Sequence, residues 1–209
     1  MRKYVISITG NTAAGTTTLA KRLSQVVKWQ AIYCETYLAR SPFFSKFLED
    51  HKRWAFHNQT FFVAEYIEMY QRVTRLIEPL NGILCLDYTI FELTVYTRAM
   101  KENGLLDQEE YEVLTRVFEL LRPNLLIPDL LIYLTANVDV LIQRMNERKR
   151  SGEKNMDRAY IEALQVSFDN FVGAWDKGPI LVIDSQEYDF RYDDSAVRFV
   201  ANQALGRIN

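Results

Sequence analysis

The sequence predicts an α/β domain in which a central parallel sheet of about five strands lies between two layers of helices. Short apolar runs without polar alternation are typical of strands that are buried on both faces. Longer segments with helical spacing separate these runs, and strands that alternate with helices need crossover connections and therefore run parallel. No repeat, low-complexity tract or linker divides the 209 residues. We therefore expect one domain over residues 1–209.

The candidate strands are short and rich in β-branched residues and leucine. They are Tyr4–Thr9, Ala31–Cys34, Ile83–Leu86, Leu130–Leu134 and Ile180–Ile183. The longest helical pattern steps by four and three residues along a single face. This stripe consists of Val63, Ile67, Tyr70, Thr74 and Ile77. Asp107, followed by two glutamates, predicts the start of a further helix, and Pro123 and Pro128 bracket its end.

Composition and charge exclude several functional classes. The chain has 25 Lys and Arg against 27 Asp and Glu, a net charge of −2, so it lacks the electrostatic footprint of a protein that binds nucleic acid polymers or a membrane surface. Cys34 and Cys85 both lie in apolar stretches and are expected to be buried, reduced thiols. No apolar run is long enough for a transmembrane helix or a signal-peptide core. The expected location is the cytoplasm.

The first strand runs directly into a loop with two glycines, and a helical pattern follows. This context fits the phosphate-binding pattern G-x-x-x-x-G-K-[ST], which Gly10, Gly15 and Thr17 match. Glycines let successive backbone N–H groups point at phosphate oxygens, and the helix N-terminus adds partial positive charge. The expected phosphate-binding residues are Gly10, Asn11, Thr12, Ala13, Ala14, Gly15, Thr16 and Thr17. The Thr17 hydroxyl would be a Mg²⁺ ligand. With this loop, the predicted α/β fold is specified further as a P-loop NTPase-type three-layer fold.

One residue of this loop departs from the pattern. Thr16 stands where the pattern has lysine. That lysine normally neutralises charge on the β- and γ-phosphates, which a threonine cannot do. A strand–helix turn that binds no ligand is therefore the alternative interpretation of this segment.

Further blocks of sequence carry a resemblance to a known family. They are PFF at 42–44, FLED at 47–50, RWAFHNQTFF at 53–62, PDLLIYL at 128–134, and Arg144, Arg148, Arg150 and Glu153 near residue 150. Together they resemble the deoxynucleoside kinases, most closely the bacterial deoxyadenosine/deoxyguanosine kinase branch, over nearly the whole chain. The resemblance implies ATP-dependent phosphorylation of the 5′-hydroxyl of a deoxynucleoside, with purine as the expected base. It also implies Mg²⁺ as cofactor and a homodimer.

The resemblance implies roles for residues on the nucleoside side. Glu35 matches the general base that takes the proton of the 5′-hydroxyl, and Asp87 matches the acid that helps to hold Mg²⁺. Gln59 matches the amide that contacts the nucleobase edge, Phe62 is a candidate base contact, and Glu153 matches an acid that contacts the sugar. The residues alone leave alternatives open: Glu35 could be a solvated loop acid, Gln59 a polar group of the core, and Asp87 a helix cap.

Other residues are assigned to the nucleotide side by the same resemblance. Arg144, Arg148 and Arg150 match arginines that clamp the transferring phosphates, with a lid at about 148–156. Without the family, a solvated basic helix end would be the favoured explanation. Asp189 and Phe190 resemble the loop that holds the adenine of the phosphate donor.

Four departures from the family pattern bear on activity. Besides Thr16, Tyr88 replaces an arginine, Leu48 replaces a tyrosine, and Tyr66 with Leu93 replaces an Arg–Asp pair. Each missing preorganised charge typically lowers the rate by about 10²–10³. Arg40, Arg148 and Arg150 are candidates for compensation.

The sequence therefore leaves three hypotheses: a working deoxynucleoside kinase, a catalytically impaired homologue that acts as a nucleotide-binding or partner subunit, or a kinase for another small substrate.

Overall fold

Five parallel strands form one sheet in the computed structural model, which describes residues 3–33, 40–148 and 157–208. Their order across the sheet is β2-β3-β1-β4-β5, so the first strand is central. The strands are β1 Tyr4–Gly10, β2 Gln30–Ile32, β3 Ile83–Leu86, β4 Leu130–Thr135 and β5 Ile180–Asp184. All five predicted strands are confirmed, with shifts of one or two residues at some ends. Cys34, at the end of the second predicted strand, lies outside the described residues.

Eight α-helices occur among the described residues. They are α1 Thr16–Val26, α2 Phe44–Glu49, α3 His51–Ile77, α4 Glu92–Glu102, α5 Gln108–Leu121, α6 Val138–Arg148, α7 Arg158–Gly173 and α8 Asp194–Ile208. A 3₁₀ turn at Arg122–Asn124 follows α5. The predicted start of α5 is confirmed, since the Asp107 side chain accepts from the amide of Glu110 and the Glu110 side chain accepts from the amide of Asp107. None of the helices in the described part of the chain is long and apolar enough to cross a membrane.

The structure shows which face of α3 is buried, which the sequence pattern leaves open. Tyr66, Met69 and Val73 are the side chains that pack into the core beside β3. The predicted stripe lies next to this face, and its member Thr74 is exposed. Apolar residues cover more than one face of this long helix, so their spacing alone does not decide which face docks.

Gly10 is the point where the central strands come closest to the loop that follows β1. A Cβ atom at this position would lie 2.6 Å from the backbone oxygen of Leu134 on β4. No side chain fits there, which explains why the strand ends in glycine. Since β1 pairs with both β3 and β4, the loop emerges at the middle of the sheet's carboxyl edge, where α/β proteins bind ligands.

Candidate active site

The loop after β1 has the geometry of an anion cradle. Helix α1 begins at Thr16 without a side-chain cap, and Gly15 before it adopts a left-handed φ of 105°. The first amides of a helix have no partner within that helix, so those of α1 open into the loop. The amide of Ala14 donates to the oxygen of Asn11 at 2.9 Å and closes the turn. The arrangement suits phosphate oxygens at a helix N-terminus.

Asn11 anchors this loop to α7. Its Nδ2 donates to the Ile161 oxygen at 3.0 Å and to Gln165 Oε1 at 3.2 Å. Its Oδ1 accepts the amide of Thr12 at 2.7 Å. The Asn11 side chain and the Thr12 amide are therefore used inside the protein, as is the amide of Ala14.

Thr17 and Asp87 bring the loop and the end of β3 together. The Thr17 hydroxyl donates to Asp87 Oδ2 at 2.6 Å, and Asp87 is 4 % exposed. A hydroxyl and a carboxylate are hard oxygen donors, and Mg²⁺ is usually held by one or two carboxylates plus substrate phosphates. The pair therefore fits Mg²⁺ bound together with a nucleotide.

Two clefts meet at the loop. The first, of about 190 Å³, is lined by the loop together with Asp87, Gln59 and Phe62. The second, of about 520 Å³, is lined by the other side of the loop together with Arg144, Asp189 and Phe190. The residues that line both clefts are Ala13, Thr16, Thr17 and Arg148. We call the first the acceptor cleft and the second the donor cleft.

Arg144 is held rigidly in the donor cleft. Its guanidinium donates to Ser185 Oγ at 2.9 Å and to the Ser185 oxygen at 2.7 Å, and it approaches the Ala14 oxygen at 3.4 Å. Burial, and then the charge of Arg191, lower the pKa of Arg144. The guanidinium is thus a fixed cation beside the loop, placed by its bonds to Ser185.

The far end of the donor cleft is formed by the loop after β5. Phe190 is buried and stacks on Tyr188 with ring centroids 5.9 Å apart. Asp189 accepts from the amide and the Nε of Arg191, each at 3.1 Å, and this bond lowers the pKa of Asp189. Both residues assigned to adenine lie at this cleft, as does Arg191, which the sequence analysis did not identify.

Aromatic side chains make up one third of the described lining of the acceptor cleft. Beyond the predicted residues, its walls include the aromatic side chains of Phe44, Phe47, Tyr66, Tyr88, Tyr96 and Tyr160. Among its described lining residues Arg148 is the one basic side chain. A cleft of this kind fits a neutral aromatic ligand better than a second anion.

Of the four departures from the family pattern, three line this cleft: Thr16, Tyr88, and Tyr66 with Leu93. The fourth, Leu48, does not. Tyr88 and Tyr66 pack edge to face, with centroids 5.4 Å apart, and Leu93 lies beside them. Leu48 is buried in the core instead. Arg40 forms an ion pair at 3.3 Å with Glu65, which lies on α3. Arg40 is not among the described residues that line either cleft.

Glu92 is a buried acid that the sequence analysis missed. Its Oε1 accepts from the Thr9 hydroxyl at 2.6 Å and from the amide of Thr89 at 3.3 Å. Burial, together with a smaller effect of the Asp87 charge, raises the pKa of Glu92 to about 8, although the hydrogen bonds from Thr9 and Thr89 act in the opposite direction. Glu92 lines the acceptor cleft. The available signal was an acid inside the otherwise apolar run after Asp87.

Three expected site residues cannot be placed in this geometry. Glu35, Arg150 and Glu153 lie outside the described residues, together with most of the predicted lid. The remaining expected residues line one of the two clefts or the loop between them.

Comparison with known proteins agrees with the fold. The family model for deoxynucleoside kinase matches residues 6–206. The chain therefore belongs to the deoxynucleoside kinase family, a family of phosphotransferases that phosphorylate deoxynucleosides.

Sequence identity to three individual relatives is 22–26 %. The chain is 26 % identical to a deoxyadenosine/deoxycytidine kinase of Bacillus subtilis over 100 % of this chain and 94 % of the relative. It is 25 % identical to a deoxyguanosine kinase of the same organism, over 94 % and 93 %. A structure of M. mycoides deoxyadenosine kinase, with the products dCMP and dCDP bound, matches with a TM-score of 0.82 at 22 % identity, over 97 % of this chain and 99 % of that one.

Proposed function

We propose that this protein transfers the γ-phosphate of ATP to the 5′-hydroxyl of a deoxynucleoside, with a purine as the preferred base. The observation that carries the proposal is the meeting of two clefts at one anion-binding loop. Phosphoryl transfer depends mainly on positioning and on electrostatic stabilisation of the transferring group. A loop shared by two clefts is where a group would pass from one bound molecule to another.

The acceptor cleft supports a nucleoside rather than a nucleotide as acceptor. Its aromatic walls suit a base, and its described lining contains a single basic side chain, Arg148, which lies where the two clefts meet. Gln59 and Phe62 would contact the base. The names of the relatives support a purine in part: they include deoxyadenosine and deoxyguanosine, and one of them also includes deoxycytidine.

The chemistry would be divided among residues of the loop and the strand ends. Asp87 and Thr17 would hold Mg²⁺, which supplies neutralisation of phosphate charge when it is bound. Amides of Gly15, Thr16 and Thr17 would hold phosphate oxygens, with Arg144 and Arg148 beside them. The resemblance adds Glu35 as the base for the 5′-hydroxyl proton, with Arg150 in the lid and Glu153 on the sugar. Asp189 and Phe190 would border the adenine of ATP.

Arginines of the donor cleft are the proposed replacement for the missing lysine. Arg144 is fixed by Ser185 next to the loop, and Arg191 lines the same cleft. Arginine offers several donors in a planar fork that matches phosphate oxygens. A cation that reaches the phosphates from outside the loop would leave room for the neutral Thr16.

A turnover assay tests this proposal. Formation of deoxynucleoside 5′-monophosphate is measured with ATP and Mg²⁺ over a panel of deoxynucleosides, and Asp87→Asn serves as the matched control. We expect product from the wild-type chain and a rate lower by about 10²–10³ for the variant. Equal rates for both proteins, or no product from either, would contradict the proposal.

A second candidate function is a catalytically impaired homologue that binds nucleotides or serves as a partner subunit. Two observations favour it. The neutral Thr16 lines both clefts. Tyr88, which stands where the family pattern has an arginine, packs its ring against Tyr66. The double variant Thr16→Lys with Tyr88→Arg separates the two. Activity that arises in the double variant and is absent from the parent supports the impaired homologue, whereas turnover by the parent rules it out.

A further inference from the structure

The side chain of Asn11 connects the phosphate loop to a chain of hydrogen bonds that continues into the protein. Its Oδ1 accepts from the amide of Thr12 at 2.7 Å, and its Nδ2 donates to the Ile161 oxygen on α7 at 3.0 Å. A backbone amide can only donate and a backbone carbonyl can only accept. The orientation of the Asn11 amide group is therefore fixed at both ends, and its nitrogen is the atom that faces α7.

Gln165 on α7 continues this chain of hydrogen bonds. Its Oε1 accepts from Asn11 Nδ2 at 3.2 Å, and its Nε2 lies 2.9 Å from the Tyr133 hydroxyl oxygen and 3.1 Å from Asp169 Oδ1. An ionised carboxylate can only accept, so the nitrogen of Gln165 must face Asp169 and its oxygen must face Asn11. A flipped amide would place nitrogen against nitrogen at one end and oxygen against oxygen at the other.

The chain of hydrogen bonds ends at a carboxylate on α7 and a tyrosine on the sheet. The Tyr133 hydroxyl donates to Asp169 Oδ1 at 2.7 Å, and Tyr133 is buried on β4. Burial, and then the bond to Asp169, raise the pKa of Tyr133, so the hydroxyl keeps its proton and remains a donor. Hydrogen bonds to an ionised group are stronger than neutral ones. The Asp169 carboxylate therefore anchors a chain whose donors all point from the loop toward α7.

These bonds reach the phosphate loop from the side that faces away from the clefts. Asn11 is 3 % exposed and, like Thr12, lines the acceptor cleft. Gln165, Tyr133 and Asp169 are not among the described residues that line either cleft. They do not touch a ligand in those clefts, so any effect that they have on binding passes through Asn11.

A loop without its lysine depends on the placement of its backbone amides. Thr16 is neutral, so the charge that the lysine would supply inside the loop is missing. Donors aimed at an anion are most effective when they are held in place before the anion binds, because they then need no reorganisation. Loss of the bond between Asn11 and α7 would loosen the first half of the loop and so weaken this arrangement.

We propose that Gln165 is a positioning residue for phosphate binding, which holds the loop through Asn11 and is itself held by Tyr133 and Asp169. The inference rests on the proposed function, since the loop is where the transferring phosphates would bind. It adds to that function a support for the loop that is made by α7 and β4 and lies outside the phosphate-binding pattern of the sequence.

Gln165→Met interrupts the chain of hydrogen bonds with little change in shape. Methionine has a similar length and adapts to irregular surroundings, and Gln165 is only half-buried. Tyr133→Phe removes one hydroxyl and leaves Gln165 its bond to Asp169. Gln108→Met is the matched control, because Gln108 on α5 donates to Glu112, four residues later, at 2.8 Å, as Gln165 donates to Asp169, and it has no contact with the loop.

Calorimetry with inorganic tripolyphosphate and Mg²⁺ measures the loop without dependence on turnover. The dissociation constant should rise by about fivefold to tenfold in Gln165→Met, the usual effect of one lost hydrogen bond. It should rise less in Tyr133→Phe and stay unchanged in Gln108→Met. Deoxyadenosine, measured without a phosphate donor, should bind to all four proteins alike, which a general loss of structure would not allow.

The double variant of Gln165→Met with Tyr133→Phe shows whether Tyr133 acts through Gln165. Residues of one hydrogen-bond network are not additive when they are replaced together. We therefore expect Tyr133→Phe to have no further effect on tripolyphosphate binding once Gln165 is methionine.

The outcomes separate this inference from the function on which it rests. An unchanged dissociation constant for tripolyphosphate in Gln165→Met, or an equal loss of deoxyadenosine binding, overturns the positioning role and leaves the kinase function standing. An effect of Tyr133→Phe that is as large in the double variant as in the wild type also overturns it. A wild-type protein that does not bind tripolyphosphate overturns both. Tripolyphosphate binding without turnover of any deoxynucleoside overturns the kinase function alone.

Discussion

The hydroxyl of Thr17 donates to the carboxylate of Asp87 across 2.6 Å, and this bond joins the start of α1 to the end of β3. The two residues are 70 positions apart in the chain. Parallel pairing of β1 with β3 places both at the same edge of the sheet. Their contact is the point where the loop, the proposed metal position and the acceptor cleft coincide, so it is the natural first target for mutation.

Removal of the Thr17 hydroxyl should abolish most of the activity. Thr17→Val keeps the shape and loses one of the two proposed oxygen ligands, so we expect turnover to fall by about 10²–10³. Thr17→Ser, which keeps the hydroxyl, should retain most of the rate. Initial rates at several Mg²⁺ concentrations are the measurement. Similar rates for Val and Ser at this position would show that the hydroxyl has no role.

A lysine at position 16 should strengthen the interaction with the nucleotide. Thr16 lines both clefts, and a lysine there would reach the phosphates that the proposed arginines approach from the other side. We expect kcat/KM for ATP to rise, but by less than the factor of about 10²–10³ that one uncompensated charge contributes, because the arginines already replace part of it. Thr16→Met has comparable length without charge and is the matched control. If Lys and Met give the same kcat/KM, charge at this position does not limit the reaction.

Ala13 offers a test of strain in the loop. Its φ of 66° lies in the left-handed region, where a residue with a Cβ loses about 1–2 kcal/mol. Ala13→Gly relieves this cost but increases the entropy of the unfolded chain, which offsets about half of it. We expect a net gain of about 0.5–1 kcal/mol in the free energy of unfolding, measured in urea.

The neighbouring alanine is the control for this effect. Ala14 is buried and has no positive φ, so Ala14→Gly should destabilise the protein by about 1 kcal/mol. A loss of stability in both variants would mean that Ala13 is not strained.

Glu92 should make stability depend on pH. Its pKa is raised from 4.5 to about 8 by burial, so between these values the unfolded chain releases a proton that the folded chain keeps. The contribution of protonated Glu92 to the free energy of unfolding is complete below pH 4.5. It is lost as the pH rises through 8, by at most about 1.4 kcal/mol per pH unit. Glu92→Gln keeps an oxygen that accepts from Thr9 and Thr89 and removes the titration.

Urea midpoints at pH 5.5, 7.0 and 8.5 are the measurement for this residue. The difference between wild type and Glu92→Gln should change with pH, with the wild type losing relative stability toward pH 8.5. Parallel pH profiles for the two proteins would contradict the assignment of a protonated acid at this site.

Local patterns in the sequence were sufficient to predict the strands, the loop and the start of α5. Buried parallel strands and helix starts depend on nearest neighbours, so short windows contain the information. The docking face of α3 could not be predicted from the sequence, because apolar residues cover several of its faces and long-range packing of Tyr66 and Met69 decides among them.

Contacts between distant residues are what the sequence could not supply. Asn11 and Gln165 are separated by 154 positions, and a lone glutamine on a helix has no recognisable pattern. The Thr9 hydroxyl likewise donates to Glu92 across 83 positions, and this partner is not evident from the sequence around either residue. Such polar pairs depend on how two distant elements are placed in the fold. Local sequence propensities contain no information on that placement.

The central claim is that two ligands meet at one loop, with the donor on one side and the acceptor on the other. Calorimetry with a bisubstrate analogue, in which adenosine and a deoxynucleoside are joined through their 5′ positions by an oligophosphate, tests it directly. We expect one analogue to bind per chain, more tightly than ATP or the deoxynucleoside alone, and to be displaced by either of them. An analogue that is displaced by ATP but not by the deoxynucleoside would contradict the claim.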